Sequence, residues 1–247
     1  MLDYMVLAAA AFAAGMLNTV AGGGTFLTFP ALVYTGVPVV AANATSTVAV
    51  LPGYLGGVAG FRKEIAALDR ALLVKVVIAT AIGGFIGSLL LLVSSNDGFS
   101  AVVPFLLLAA TLAFAFGDRL QGWAQRRRLA PGGPVGTILV SIYGGYFNGG
   151  LGIILLALFS LWGMRDLNAM NGLKTGLSFV LSAISVATFA AAGLVSWPQA
   201  MLMMVAATIG GYAGAPVARA LPRRVVRAIV ISVGTVMSAI FFWRLFS

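Results

Sequence analysis

The sequence predicts an all-α polytopic membrane protein made of two inverted repeats, each a broken-helix hairpin, short or re-entrant, followed by three full transmembrane helices. Three observations predict it. Hydrophobic residues fill 61% of the 247 positions and charged residues only 9%, where a soluble domain carries about 25% charged residues. The apolar residues also run in long blocks: Leu72 to Val93 holds one charge, Lys75, and Phe99 to Phe116, Ser178 to Ala192 and Ile229 to Trp243 hold none. Finally, a glycine-rich break beside an asparagine occurs twice, about 130 residues apart. A span needs about 20 mostly apolar residues to cross ~30 Å of hydrocarbon. Its backbone polar groups must be satisfied internally, so the blocks are helices. The alternating segments of ~10 residues that mark an outer-membrane barrel are missing.

The elements follow in chain order. The stretch 3–36 is too long for one straight crossing and too short for two, and Ala21-Gly22-Gly23-Gly24 interrupts it, so it is a hairpin. Full spans follow at about 40–61, 70–93 and 99–117, then a basic loop at 119–134 ending in Pro131-Gly132-Gly133-Pro134. The second hairpin is 135–163, broken at Asn148-Gly149-Gly150-Leu151-Gly152, and spans at about 167–192, 198–219 and 225–246 complete the chain. This is a single transmembrane domain, with repeat 1 at about 1–118 and repeat 2 at about 135–247. The first apolar segment lacks a basic start and a small-residue cleavage site, and is read as retained structure.

Charge placement orients the bundle. Arg62, Lys63, Arg70 and Lys75 crowd one connector; Arg119 and Arg126-Arg127-Arg128 fill the next, Arg165 and Lys174 flank a third, and Arg219, Arg223, Arg224 and Arg227 a fourth. The turns Ser94 to Gly98 and Gly193 to Pro198 carry no base. Basic connectors stay in the cytoplasm. They all do so only if each hairpin returns to its own side, which puts both termini outside. If each hairpin instead crossed once, the arginines at 219–227 would face out. The net charge of +9 therefore reflects topology and anionic lipid, not nucleic acid.

Chemistry is narrowed by what is missing. The chain has no Cys and no His, which removes thiol and imidazole catalysis and nearly all zinc chemistry. Asp3, Glu64, Asp69, Asp97, Asp118 and Asp166 all fall near predicted ends, Asp166 as a surface partner for Arg165 or Lys174. No nucleotide loop or nucleophile elbow occurs. No enzyme, metal or cofactor is expected.

The polar residues near the breaks suit an anion. A helix broken inside the membrane exposes N–H groups and a positive dipole end where its second half begins. The candidate substrate-binding residues are Asn18, Thr19, Gly22, Gly23, Gly24 and Thr25 at the first break, and Asn148, Gly149 and Gly150 at the second. Asn43, Thr45 and Ser46 on one Asn-bearing helix start, and Asn171 and Lys174 on its counterpart, complete the set. The plain alternatives are close glycine packing and, for Lys174, snorkelling to the interface. Gly56 and Gly83 lie in ordinary spans, where an added methyl should cost only packing.

Asn18-Thr19-Val20-Ala21-Gly22-Gly23-Gly24-Thr25, followed by Pro30, Gly36 and Ala42-Asn43-Ala44-Thr45, resembles the N-terminal repeat of the sulfite exporter TauE/SafE family. Gly144 to Gly163, then Asn171-Gly172-Leu173-Lys174-Thr175, resembles its second repeat, with Leu151 interrupting a usually continuous glycine cluster. The resemblance implies a secondary carrier of the bacterial cytoplasmic membrane, an exporter of sulfite, an organosulfonate or a related small anion. It leaves the coupling proton or ion and the oligomeric state open. The alternatives are an anion channel and a non-transporting membrane scaffold.

Overall fold

The computed structural model describes residues 1–20, 23–127, 133–220 and 223–246. The described elements are helices in the order α1 (Leu2–Val20), α2 (Thr25–Tyr34), α3 (Val39–Gly60), α4 (Arg62–Ala66), α5 (Arg70–Val93), α6 (Asn96–Arg127), α7 (Pro134–Tyr146), α8 (Leu151–Leu161), α9 (Leu167–Ala191), α10 (Trp197–Ala220) and α11 (Arg223–Phe246). Four stretches are long and apolar enough to cross a membrane among the described residues: Val39–Gly60, Arg70–Val93, Asn96–Ala113 and Leu167–Ala191. The chain is a polytopic, all-helical membrane protein.

Both predicted breaks are present, between α1 and α2 and between α7 and α8. Each hairpin ends on the same device. Gly36 (φ 85) and Gly163 (φ 83) take the left-handed conformation that favours glycine. Val37 N–H then reaches the Leu32 carbonyl, and Met164 N–H the Phe159 carbonyl, a Schellman closure in both halves. Asp69 and Asp166 cap α5 and α9, accepting from Leu72 N–H and Asn168 N–H, both at 2.9 Å. Asp166 thus serves as a helix cap. One boundary also differs. α6 continues to Arg127, so most of the connector expected as loop is helical, because Arg119 to Arg127 contains good helix formers and no proline.

Pairings fix the helix directions. Val40 N–H donates to Asn96 Oδ1 (3.2 Å) and Ser196 N–H to Thr45 Oγ1 (3.0 Å), so α3, α6 and α10 begin at one end of the bundle. Gly57 faces Thr175, and Gly172 faces Phe61 and Ile65, so α3 and α9 run antiparallel and α9 begins at the opposite end. The α1–α2 hairpin leads into α3 and opens at the first end; the α7–α8 hairpin leads into α9 and opens at the other.

Packing is nearly unchanged when α1, α2, α3, α5 and α6 are exchanged for α7, α8, α9, α10 and α11. The pairs α1 with α10, α3 with α10 and α2 with α11 become α7 with α5, α9 with α5 and α8 with α6. α3 with α9 and α6 with α11 map onto themselves. Two crossings are backbone to backbone. A β-carbon built on Gly83 would lie 2.5 Å from the Ile138 carbonyl oxygen, and those on Gly87 and Gly145 would also strike backbone across α5–α7. Gly15 and Gly210 do the same across α1–α10. Small residues that let helices approach this closely are the usual basis of packing in membranes. Gly83 is therefore not an ordinary span glycine, whereas Gly56 has nothing within 4 Å. Between the halves sits an aromatic cluster: Phe29 of α2 contacts Phe99, Phe147 and Phe241 at centroid distances of 6.4, 5.7 and 5.8 Å.

Candidate functional site: two unlike helix breaks

The first break closes on itself. Asn18, in the last turn of α1, folds forward so that its Oδ1 accepts from Gly24 N–H at 2.8 Å. One expected anion donor is thereby engaged by the protein. Gly24 has φ −59, so left-handed backbone does not explain its identity. Space does: a β-carbon there would lie 2.5 Å from Asn18 Nδ2. Thr28, one turn on, contacts the Gly24 carbonyl (3.2 Å) and Ser46 Oγ (2.6 Å), joining α2 to α3. Thr25 is buried beside them. Gly23 precedes Gly24 and is also buried. Gly22 and the Thr19 side chain lie outside the described residues.

The second break is held by its neighbours instead. Gly150, at φ 72, turns the chain into α8. Tyr143 Oη donates to the Gly149 carbonyl. Asn43, from α3 of the other half, donates its Nδ2 to the Tyr146 carbonyl at 2.8 Å and so caps the end of α7. A carbonyl can only accept, so this bond fixes the amide's orientation and leaves Asn43 Oδ1 as an acceptor. That oxygen is buried without a partner, as is Asn148 Oδ1. Asn148 Nδ2 donates to Ser182 Oγ at 3.4 Å, and Tyr54 approaches the same amide from α3.

Lys174 completes the second site. Its stem lies along the first turn of α8, where a β-carbon on Gly152 would be 3.3 Å from Lys174 Cδ. Its Nζ donates to Asn171 Oδ1 at 2.9 Å. Among the described residues no carboxylate pairs with it. A lysine side chain thus stands beside a helix start, the positive end of the α8 dipole, where Leu151 N–H and Ile153 N–H already turn back to the Asn148 and Gly150 carbonyls.

The structure therefore brings Asn43 to the second break, Ser46 to the first through Thr28, and Asn171 to Lys174. The Thr45 hydroxyl accepts from Ser196 N–H at the start of α10 (3.0 Å). Asn43 and Asn171, equivalent by sequence, differ: one caps a helix of the opposite half and the other holds Lys174. Tyr54, Tyr143 and Ser182 are missed from sequence. Tyr54 carries a faint signal, since eleven residues after Asn43 is three helical turns, which places it on the same face.

An all-helical bundle of long apolar helices with two interrupted hairpins is the architecture of a polytopic membrane protein, and the proteins it resembles are membrane transporters. Curated relatives have matching names. The chain is 29% identical to a "Probable membrane transporter protein" of Haemophilus influenzae over 95% of this chain and 92% of that protein. It is 27% identical to "Probable membrane transporter protein ORF9" of a Sinorhizobium species, over 93% and 88%. To "Probable membrane transporter protein YfcA" of Escherichia coli it is 28% identical, over 95% and 87%. Residues 7–241 match the family described as Sulfite exporter TauE/SafE, and the chain belongs to that family. No solved structure matches it.

Proposed function

We propose that the protein is a secondary carrier that exports a small oxyanion, sulfite or an organosulfonate, across a bacterial cytoplasmic membrane, and that the anion binds at the helix breaks between two inverted repeats. The observation that carries the site is Lys174 against the first turn of α8 with no carboxylate partner. A cation and a helix N-terminus side by side repel each other, and an anion between them relieves both. Asn148, Gly149 and Gly150 border that turn, with Asn43 behind them. The first break, with Asn18, Gly23, Gly24 and Thr25, forms the matching half of the site.

The inverted arrangement is supported by the antiparallel α3 and α9 and by hairpins that open at opposite ends. It suits alternating access, in which one repeat rocks against the other around a central site. Repeat 1 is residues 1–118, and repeat 2 is residues 135–247. Membership of a family of sulfite exporters favours sulfite among oxyanions. The protein performs no catalysis in this scheme. Uptake of labelled sulfite and methanesulfonate into proteoliposomes tests it: saturable uptake that Lys174→Gln impairs is expected, and uptake equal to that of empty liposomes would reject it.

A further inference from the structure

Five buried side-chain oxygens lack any hydrogen-bond partner among the described residues: Asn43 Oδ1, Thr80 Oγ1, Thr137 Oγ1, Ser141 Oγ and Asn148 Oδ1. All five border one helix. Thr137 and Ser141 lie one turn apart on α7, and Asn148 follows its end. Asn43 caps it at Tyr146. Thr80 is three residues before Gly83 on α5, whose added β-carbon would lie 2.7 Å from Ser141 Cβ. That spacing keeps Thr80 on the α5 face that meets α7.

Hydroxyls elsewhere in this bundle have an easy solution. Those of Ser88, Thr111, Ser160, Thr175, Thr188 and Ser238 each bond the carbonyl four residues back. The three beside α5–α7 do not. A buried polar oxygen left unpaired is costly, and in a membrane no lipid can satisfy it. Water, or a solute that donates hydrogen bonds, satisfies such oxygens.

The equivalent flank of the other half is apolar. An offset of 130 residues, the spacing from Asn18 to Asn148, places Leu7 opposite Thr137 and Ala11 opposite Ser141; both are fully buried on α1, the helix that crosses α10. The same Gly crossing therefore carries hydroxyls in one half and hydrocarbon in the other.

We infer that the α7 flank, from Thr137 past Ser141 to Asn148, is a file of buried water, a hydrated passage that reaches the second break from the end where α7 begins. The α1 flank is its sealed counterpart. This rests on the breaks being the carrier's centre, but not on which anion is carried.

The cysteine-free sequence allows a direct test with Ag⁺, a small cation that replaces the thiol proton. Thr137→Cys, Ser141→Cys, Leu7→Cys and Ala11→Cys are made singly in the full chain. Membrane vesicles of either orientation are exposed to Ag⁺, then denatured and alkylated, and the protected fraction is followed with time. Thr137→Cys and Ser141→Cys should react about tenfold or more faster than the other two, a factor one unpaired buried polar group readily supplies. The faster reaction should come from the face where α7 begins. Adding Thr137→Val, which keeps the shape and removes the oxygen, should slow the reaction at Ser141→Cys. Comparable rates at all four positions, or faster reaction at positions 7 and 11, would overturn the passage, whatever the protein transports.

Discussion

Replacing Gly24 with alanine sets a β-carbon 2.5 Å from Asn18 Nδ2 and 2.8 Å from its Cγ and Oδ1. No β-carbon tolerates such contacts, so Asn18 must swing away and surrender its 2.8 Å bond from Gly24 N–H. Backbone strain does not contribute, because alanine accepts φ −59. The magnitude follows from the lost bond and the donor left behind in a buried turn, about 1–3 kcal/mol. If the break binds the anion, that energy appears in transport, as a rise in the apparent substrate constant of roughly 5- to 150-fold. The assay is a concentration series of anion uptake in proteoliposomes, with each variant matched for membrane abundance. Gly56→Ala is the control, since nothing lies within 4 Å of its β-carbon. An unchanged substrate constant and rate for Gly24→Ala would refute a binding role for the first break. Its glycine would then serve only the turn.

Three further outcomes are expected. Lys174→Gln should raise the apparent substrate constant strongly while Lys174→Arg keeps much of the transport; equal uptake by Lys174→Gln and wild type would leave snorkelling as the sufficient account. Gly83→Ala forces a methyl to within 2.5 Å of the Ile138 carbonyl oxygen, so it should destabilise the α5–α7 crossing by about 1–3 kcal/mol and lower the detergent-solubilised melting temperature. Gly56→Ala should not, and identical melting of both would contradict the crossing. Cysteines at Asp3 and Ser247 should be labelled by an impermeant thiol reagent in intact cells, and labelling only after lysis would reverse the topology.

Much of the architecture is legible because membranes restrict the vocabulary. Long uncharged blocks have to be helices, and basic connectors have to share a side, so helix order and the two hairpins follow from local features. Gly36 and Gly163 are legible only as matching positions in the two repeats; that both close a short helix in left-handed backbone is seen in the structure. The site is less legible, because its decisive contacts span long separations. Nothing local distinguishes Asn43, which reaches α7 in the other half, from Asn171, which holds Lys174. Nor does sequence tell Gly83, pressed on a backbone, from Gly56, which faces open space. Asn18 is legible as a polar residue beside the break, yet its amide closes on Gly24 N–H, the donor it was expected to accompany.

The central claim is that this bundle carries a small oxyanion through its helix breaks. The most direct measurement is uptake of labelled sulfite and methanesulfonate into proteoliposomes of the purified protein, under imposed pH gradients and with empty liposomes in parallel. Saturable uptake of at least one anion, weakened by both Gly24→Ala and Lys174→Gln at matched abundance, is the predicted result. Uptake no greater than in empty liposomes, or uptake that neither substitution alters, would contradict it.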